Sequence, residues 1–201
     1  MMEWTAFEDQ ARAEGYTCIC GIDEAGRGPL AGPVYAAAVV LRPGQVIEGV
    51  NDSKKLSEKK REALFDTICS QCAAYGIGSA TEKEIDEINI LNATYLAMQR
   101  AVAALPVQPD CALVDGNRAP DLPLEVRTII KGDAQSASIA AASILAKVSR
   151  DRYMLQMAEK YPKYAFEKHK GYGTKLHYER LEQYGISPIH RLSFLKKWMN
   201  R

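Results

Sequence analysis

The sequence lacks an apolar run long enough to cross a bilayer. Its longest apolar stretch, residues 30–41, contains Gly32 and Pro33 and is shorter than the about 20 residues that a transmembrane helix requires. Residues 1–15 carry four acidic side chains and no basic-then-apolar leader, so they do not resemble a signal peptide. These absences predict a cytoplasmic protein that does not act on a membrane.

The cysteines form neither a disulfide framework nor a zinc site. They stand at positions 18, 20, 69, 72 and 111, an odd number that does not suit a secreted, disulfide-bonded domain. Cys69 and Cys72 form a C-x-x-C pair, but no second pair or nearby histidine completes four zinc ligands. Because both share helical spacing with Leu64, Phe65 and Ile68, we expect reduced thiols that pack in the core.

The near absence of net charge conceals an uneven distribution. The chain has 201 residues, enough for a buried core without disulfides, and a formal net charge of +1. Residues 1–146 hold 13 basic and 20 acidic side chains, whereas residues 147–201 hold 13 and 5, together with all three histidines and eight of the tyrosines and phenylalanines. A basic, aromatic segment suits nucleic acid. A solvated face that balances an acidic neighbour explains the charge equally well.

Apolar patterns and turn residues divide the chain into strands and helices. Short apolar segments predict strands at residues 18–23, 34–41, 75–80, 111–114 and 125–131, the first two as antiparallel neighbours. Helical spacing predicts helices at 57–72, 81–105 and 136–157, and Thr81-Glu-Lys-Glu84 forms a capping box for the second. This order predicts an α/β fold, a mixed sheet of about five strands flanked by helices, with a C-terminal helical segment.

Acidic side chains stand at the ends of three predicted strands. Asp23 and Glu24 close the first strand, Asp115 closes the fourth, and Asp133 follows the fifth. If they converge, their oxygen ligands select Mg²⁺ or Mn²⁺, and two such ions about 3.5–4 Å apart would clamp the attacking and leaving oxygens of a phosphoryl transfer. A turn, a helix cap or a surface pair explains each acid singly as well, but together they favour a metal-dependent nuclease.

Gly26-Arg27-Gly28 follows directly after the first acidic pair. The glycines allow backbone N–H groups to approach a ligand closely, and the arginine offers a fork of donors to phosphate. The segment lacks the third glycine of a dinucleotide fingerprint, and the chain has no Walker loop. A simple tight turn explains the segment equally well, so alone it does not identify a ligand.

Several longer segments, taken in order, match one known family. They are Gly21-Ile-Asp-Glu-Ala-Gly-Arg-Gly-Pro-Leu-Ala-Gly-Pro-Val34, Asp52-Ser-Lys-Lys-Leu-Ser57, Val114-Asp-Gly-Asn117, Lys131-Gly-Asp133, Ala137-Ser-Ile-Ala-Ala-Ala-Ser143 with Ala146-Lys147, and His169-Lys-Gly-Tyr-Gly-Thr174 with Ser187-Pro-Ile-His-Arg191. Through these segments, which span most of the chain, it resembles the type 2 ribonucleases H, and among them the bacterial ribonucleases HII. The resemblance implies a ribonuclease H-like catalytic domain in residues 1–150 and a basic helical substrate-binding segment in residues 151–201.

The resemblance also implies an activity and a set of catalytic groups. The enzyme would hydrolyse the RNA strand of RNA–DNA hybrids and cut 5′ of single ribonucleotides embedded in duplex DNA, leaving 3′-OH and 5′-phosphate ends. Asp23, Glu24, Asp115 and Asp133 would be the catalytic acids and the ligands of Mn²⁺ or Mg²⁺. The expected partners are therefore these two kinds of duplex.

Further residues are implied to contact the substrate. Gly26, Arg27, Gly28 and Tyr172 would recognise the ribonucleotide, the glycine backbone through the 2′-OH and Tyr172 by stacking on the next sugar. Lysine and hydroxyl side chains would contact phosphates at the rim: Lys54, Lys55, Ser136, Ser138, Ser143 and Lys147. A structural role explains each of these rim residues equally well, and Tyr172 is also compatible with a core position.

Three other functions compete with this interpretation. A nuclease or recombinase of the same fold that acts on DNA alone is disfavoured by the Gly-Arg-Gly segment and Tyr172. A non-enzymatic RNA-binding module with one structural ion would bind the hybrid without turnover. A nucleotide-binding Rossmann protein is disfavoured because its phosphate loop is missing. With no coiled-coil heptads and no long exposed apolar strand, we expect a monomer.

Overall fold

A computed structural model describes residues 4–50, 53 and 56–200. Five strands form one sheet in the order β3-β2-β1-β4-β5. Strand β1 pairs antiparallel with β2, which pairs antiparallel with β3, while β4 runs parallel to β1 and β5 parallel to β4. The strands are β1 (Ile19–Ala25), β2 (Val34–Val40), β3 (Ala74–Ala80), β4 (Cys111–Asp115) and β5 (Glu125–Ile129). The predicted mixed sheet of five strands is confirmed.

Helices cover the sheet and form the C-terminal segment. They are α1 (Ala6–Ala13), α2 (Glu58–Gln71), α3 (Glu82–Ala103), α4 (Ala137–Lys160), α5 (Phe166–His169), α6 (Lys175–Tyr184) and α7 (Leu192–Met199), with 3₁₀ turns at Gly132–Ala134 and Pro162–Tyr164. Helix α4 runs without a break through residue 150, where the sequence divides a catalytic from a substrate-binding part. That division stays a prediction. Among the described residues, no helix is long and apolar enough to cross a membrane.

Alternate residues of β2 divide the core between the two faces of the sheet. Ala36 and Ala38 pack in the cluster that contains the α3 side chains, whereas Ala37 and Val39 pack in the cluster under α4. Cys72 belongs to the α4 cluster and Cys69 packs against it, and all five cysteines are free. The expected core packing of Cys69 and Cys72 is confirmed.

Helix α3 is interrupted, although its apolar periodicity predicts one continuous helix. Thr81 and Glu84 form the predicted capping box, but Asn89 has a φ of 67° and a ψ of 165°. Its side-chain Oδ1 accepts hydrogen bonds from the backbone N–H groups of Leu91 at 3.0 Å and Asn92 at 3.2 Å. Asn89 therefore caps a second helical segment. The apolar spacing resumes in register after the break, so periodicity alone does not detect it.

Helix α4 lies close to β1 because Gly21 has no side chain. A Cβ at Gly21 would overlap the backbone of Ser138 and Ile139 at the start of α4. The close approach matters for the site, since Asp23 lies two residues after Gly21 and Asp133 lies four residues before α4 begins.

Candidate active site

Three acidic side chains meet at the carboxyl ends of the parallel strands. Strand β1 pairs with β4 so that Ile22 lies opposite Val114, and the next residues, Asp23 and Asp115, therefore emerge side by side. Asp133 reaches the same place from the 3₁₀ turn after β5. One carboxylate oxygen from each acid lies within 4.8 Å of the others.

The backbone around the three acids orients their side chains. The N–H of Gly132 donates to Asp115 Oδ1 at 2.6 Å, which ties the end of β4 to the turn that carries Asp133. The N–H of Glu24 donates to Asp23 Oδ1 at 2.7 Å. Asp23 and Asp133 are each only 5% exposed, so two of the three carboxyl groups have little access to water.

The electrostatics of the three acids fit a divalent cation. Burial raises the pKa of the Asp23 carboxyl well above its ordinary value, and the neighbouring charges of Glu24, Asp115 and Asp133 raise it further. Such a group must either keep a proton or gain a compensating positive charge. Because the cluster offers carboxylate oxygens and no sulfur or imidazole ligand, its donor set suits a hard cation.

Glu24 is next to Asp23 in the chain, but it does not belong to the set of three acids whose oxygens lie within 4.8 Å of one another. Its side chain is partly buried, and its Oε1 accepts a hydrogen bond from Arg27 Nη1 at 3.3 Å. Of the four acids that the sequence places at strand ends, the structure therefore brings three into the cluster and sets Glu24 at its edge.

One cavity of about 260 Å³ connects Asp23, Glu24 and Asp115 with most of the predicted substrate-binding residues. Its walls are formed by Asp23, Glu24, Ala25, Gly26, Arg27, Gly28, Ser53, Asp115, Ser143, Lys147 and Tyr172. Ser53 is a wall residue that the sequence interpretation did not assign, although it lies in the quoted Asp52–Ser57 segment. Lys54 and Lys55, from the same segment, lie outside the described residues.

Gly28 and Tyr172 face each other across this cavity. A Cβ at Gly28 would lie 3.8 Å from Tyr172 Cε1, and the Tyr172 side chain is exposed. The guanidinium of Arg150 lies 5.7 Å from the centre of the Tyr172 ring on its buried side. Tyr172 is thus an exposed aromatic ring that packs on a buried arginine, and such a ring is available to stack on a substrate.

Two buried arginines hold the chain from Gly26 to Pro33 from within, and Arg191 alone binds the Gly-Arg-Gly segment. Arg191 donates from Nη2 to the carbonyl of Gly26 at 2.6 Å, from Nη1 to that of Arg27 at 3.0 Å and from Nε to that of Gly32 at 2.8 Å. Arg150 donates to the carbonyls of Pro33, Ala31 and Lys170. Sequence reasoning assigned neither arginine a role. The only sequence signal was that Arg191 ends the quoted Ser187–Arg191 segment.

Ser143 and Lys147 lie at the cavity, whereas Ser138 lies away from it. Ser143 Oγ is buried and has no hydrogen-bond partner among the described residues, and Lys147 Nζ donates to Asp151 Oδ1 at 2.6 Å. Ser138 is fully buried, and its Oγ donates to Glu8 Oε1 at 2.6 Å. Ser136 donates to the same Glu8 oxygen at 2.6 Å, so a carboxylate from α1 occupies the N-terminus of α4.

A substitution of Ser138 distinguishes a phosphate contact from a structural role. We expect Ser138→Ala to lower the free energy of unfolding by about 1–2 kcal/mol, because Glu8 loses one buried hydrogen bond, and to leave hybrid affinity unchanged. Denaturant unfolding and binding titrations at two salt concentrations measure both quantities. A weaker salt dependence of binding would instead indicate a lost phosphate contact.

The three histidines are buried in the C-terminal segment. Their exposed fractions are 6% for His169, 0% for His177 and 3% for His190. Burial, followed by the charge of a neighbouring histidine, lowers the pKa of His177 and that of His190 to about 4. Both rings are therefore neutral at physiological pH.

Acid should destabilise the protein through these rings. An unfolded histidine takes up a proton near pH 6.5, whereas the folded rings remain neutral to about pH 4. The unfolded state then binds more protons, so the free energy of unfolding falls as the pH decreases from 6.5 to 4, by up to about 3 kcal/mol for each ring. The melting temperature measured between pH 6.5 and 4 tests this loss of stability. The measurement uses the Asp23→Asn variant, because the raised pKa of Asp23 makes the folded state more stable as the pH falls and would mask the effect of the histidines. A constant melting temperature across that range would contradict it.

Known proteins share both the sequence and the fold. A family model described as Ribonuclease HII matches residues 20–197. A Ribonuclease HII from Caldicellulosiruptor bescii is 60% identical over 189 residues, which cover 94% of this chain and 92% of the relative. The crystal structure of ribonuclease H2 from Pyrococcus horikoshii OT3 matches with a TM-score of 0.73 and 30% identity, over 88% of this chain and 93% of that one. Bst-RNase HIII in complex with Mn²⁺ shares the fold, with a TM-score of 0.63 and 18% identity over 87% of this chain and 65% of that one.

Proposed function

The chain belongs to the ribonuclease HII family and is a ribonuclease H endonuclease, and we propose that it hydrolyses the RNA strand of RNA–DNA hybrids and cuts 5′ of single ribonucleotides in duplex DNA. The observation that carries this proposal is the cavity in which Asp23, Asp115, the Gly-Arg-Gly segment and Tyr172 face one space. Acids for phosphodiester hydrolysis and groups suited to a sugar are thereby placed side by side.

We propose Mg²⁺ or Mn²⁺ as the cation, held by Asp23, Asp115 and Asp133, with Glu24 and its neighbour Arg27 at the edge. Bound there, such an ion supplies positive charge that stabilises the oxygens of a phosphoryl group during displacement. The chain's own contribution is to fix the carboxylates through the Gly132 and Glu24 N–H groups. Because Asp23 and Asp133 are buried, water screens the attraction between their carboxylates and a bound cation only weakly.

Recognition of the ribonucleotide rests on the Gly-Arg-Gly backbone and on Tyr172. The 2′-OH both donates and accepts hydrogen bonds, and it distinguishes RNA from DNA at a given site. Because Arg191 binds the carbonyls of Gly26 and Arg27 from the inside, the peptide groups of this segment are held in one orientation next to the acids. We infer that the opposing Tyr172 ring stacks on the following sugar, where a deoxyribose offers no hydroxyl to obstruct it.

Phosphate contacts are assigned to groups at the same cavity. Ser143 Oγ is buried and has no hydrogen-bond partner among the described residues. Lys147 carries a positive charge at the cavity wall. We propose that both contact phosphates, together with Ser53 and with Lys54 of the neighbouring segment. These contacts would position the duplex without reading its bases.

A labelled DNA duplex with a single ribonucleotide tests the activity. We expect incision on the 5′ side of the ribonucleotide with Mg²⁺ or Mn²⁺, no incision of an all-DNA duplex, and loss of incision with a chelator. Ligation of the products checks the predicted 3′-OH and 5′-phosphate ends. Binding of the hybrid without turnover under either metal would contradict the proposal and favour a binding module, and incision of the all-DNA duplex would favour a DNA nuclease.

We propose that the enzyme works in the cytoplasm. The five free cysteines suit a reducing cytoplasm. We propose a monomer, and size-exclusion chromatography that gives twice the mass of one chain would contradict this.

A further inference from the structure

A chain of hydrogen bonds links the backbone of Tyr172 to the Ser187–His190 turn. His177 Nδ1 lies 2.9 Å from the carbonyl oxygen of Tyr172, and His177 Nε2 lies 2.9 Å from His190 Nε2. The N–H of Ser187 donates to His190 Nδ1 at 2.9 Å. Both rings are almost completely excluded from water, so no solvent competes for these bonds.

The partners at the two ends determine where each proton lies. His190 Nδ1 accepts from the Ser187 N–H, so the proton of this neutral ring is on Nε2. His190 Nε2 then donates to His177 Nε2, which places the proton of His177 on Nδ1. That proton is donated to the Tyr172 carbonyl, which can only accept. The chain therefore has one direction, and each ring has one tautomer.

The third histidine packs against this chain and holds the residue next to Tyr172. The His169 and His177 rings stack with centres 4.2 Å apart and planes 16° apart. His169 Nδ1 accepts from the N–H of Gly171 at 3.2 Å, and the carbonyl of His169 accepts from the N–H of Tyr172 at 2.9 Å. The backbone on both sides of the Tyr172 ring is thus bound to the histidine stack.

Tyr172 is the only exposed part of this assembly that reaches the cavity among the residues described. Its ring rests on Arg150 and stands opposite Gly28, so a shift of its backbone changes the width of the gap between Gly28 and the ring. An apolar side chain at position 177 would fill the same space but leave the carbonyl of Tyr172 with only the hydrogen bond from the Thr174 N–H at 2.8 Å. Packing alone therefore does not account for the directed chain.

We propose that His177 and His190 are positioning residues that set the gap between Tyr172 and Gly28, and through it the preference for a single ribonucleotide followed by DNA over continuous RNA. This inference rests on the proposed function, because it takes Tyr172 as the residue that meets the sugar after the ribonucleotide. Neither histidine contacts the substrate.

A double-mutant cycle with Tyr172 tests the inference. The measured quantity is kcat/KM on a duplex with one ribonucleotide divided by kcat/KM on a hybrid with a continuous RNA strand. His177→Phe keeps a ring in the stack but removes both nitrogens, and we expect it to lower this ratio about tenfold, the value of the lost hydrogen bond to the Tyr172 carbonyl. In Tyr172→Ala the ratio is already low, and His177→Phe should have no further effect, since residues that act through one another are not additive.

Leu181→Ala is the matched control for loss of packing. Leu181 is fully buried on the same helix, α6, and takes no part in the hydrogen-bond chain. We expect it to lower the melting temperature and to leave the ratio unchanged in both backgrounds. A similar fall of the ratio in Leu181→Ala, or an effect of His177→Phe that persists in Tyr172→Ala, would overturn the inference.

Two further measurements decide the question if His177→Phe does not fold. His190→Asn keeps an acceptor for the Ser187 N–H but removes the donor to His177, so it should lower the ratio in the same Tyr172-dependent way. In the wild-type protein, ¹⁵N NMR should show His177 protonated on Nδ1, His190 protonated on Nε2, and a scalar coupling between the two Nε2 atoms. The opposite tautomers, or an unchanged ratio in His190→Asn, would refute the proposed chain.

The two proposals fail in different ways. A wild-type enzyme that incises neither substrate would overturn the proposed function and this inference with it. A wild-type enzyme that prefers the single ribonucleotide, and whose preference survives both histidine substitutions, would overturn this inference alone.

Discussion

Asp23→Asn should abolish incision at a ribonucleotide while the protein stays folded. Asp23 is the most buried of the cavity acids and has three acidic neighbours whose charges act on it. Loss of an outer-shell partner of a metal typically costs about 10- to 100-fold in affinity or activity. Because Asp23 is proposed as a direct ligand, we expect its loss to exceed that range.

The same substitution should stabilise the metal-free protein. An amide at position 23 removes a carboxyl group whose ionisation is opposed by burial and by its neighbours, so the melting temperature in chelator should be equal or higher. Because a cation that binds only the folded state stabilises it, Mn²⁺ or Mg²⁺ should raise the melting temperature of the wild type. That increase should be lost in Asp23→Asn.

Asp66→Asn is the matched control for both measurements. Asp66 is exposed on α2 and lies 4.0 Å from Arg152 at the surface, where an ion pair contributes little. It should retain incision and the stabilisation by metal. Wild-type incision by a folded Asp23→Asn protein would remove Asp23 from the site.

Arg191→Met should cause the second largest loss, in stability and in activity together. Arg191 is fully buried, and its three hydrogen bonds go to the carbonyls of Gly26, Arg27 and Gly32. Leaving buried acceptors unpaired costs about 1–3 kcal/mol each, so we expect the free energy of unfolding to fall by at least about 3 kcal/mol. At about 2–4 °C per kcal/mol for a chain of this length, the melting temperature should fall by roughly 6–12 °C.

Arg191→Lys should not rescue this loss. A lysine ammonium carries the charge but cannot present the planar fork of donors that reaches several carbonyls. Activity on the single-ribonucleotide duplex should fall in both variants, because the Gly-Arg-Gly backbone loses its support next to the acids. Full rescue by lysine would show that charge alone is required.

Arg100→Met serves as the comparison for removing an arginine. Arg100 pairs with Glu84 at 2.7 Å, and its side chain is 44% exposed. Exposed pairs contribute about 0–1 kcal/mol, so a small change in melting temperature is expected. An effect as large as that of Arg191→Met would mean that burial is not the cause of the difference.

Local sequence patterns were sufficient for the order of strands and helices. The apolar segments around Ile22 and Val39 and the capping box at Thr81 are encoded by residues close together in the chain, and the structure confirms them. The break at Asn89 escaped this reasoning because the apolar spacing is the same on both sides of it. Helical periodicity reports which face is buried, and it is insensitive to one residue with a positive φ.

The sequence by itself also determined which acids could serve a metal site, because they stand at predicted strand ends. Only the tertiary structure decided that Asp23, Asp115 and Asp133 share one small space, since this depends on the parallel pairing of β1 with β4 and on the contact of Gly21 with α4. Glu24, next to Asp23 in sequence, lines the same cavity but lies outside this set of three.

Buried charged residues were beyond sequence reasoning for a related reason. Arg191 and the carbonyl of Gly26 are 165 residues apart, and Ser138 and Glu8 are 130 apart. A polar residue read from sequence is expected at the surface, because burial costs free energy unless every donor finds a partner. Only the folded chain brings those partners together, and in the case of Arg191 they support the Gly-Arg-Gly segment on which the proposed recognition depends.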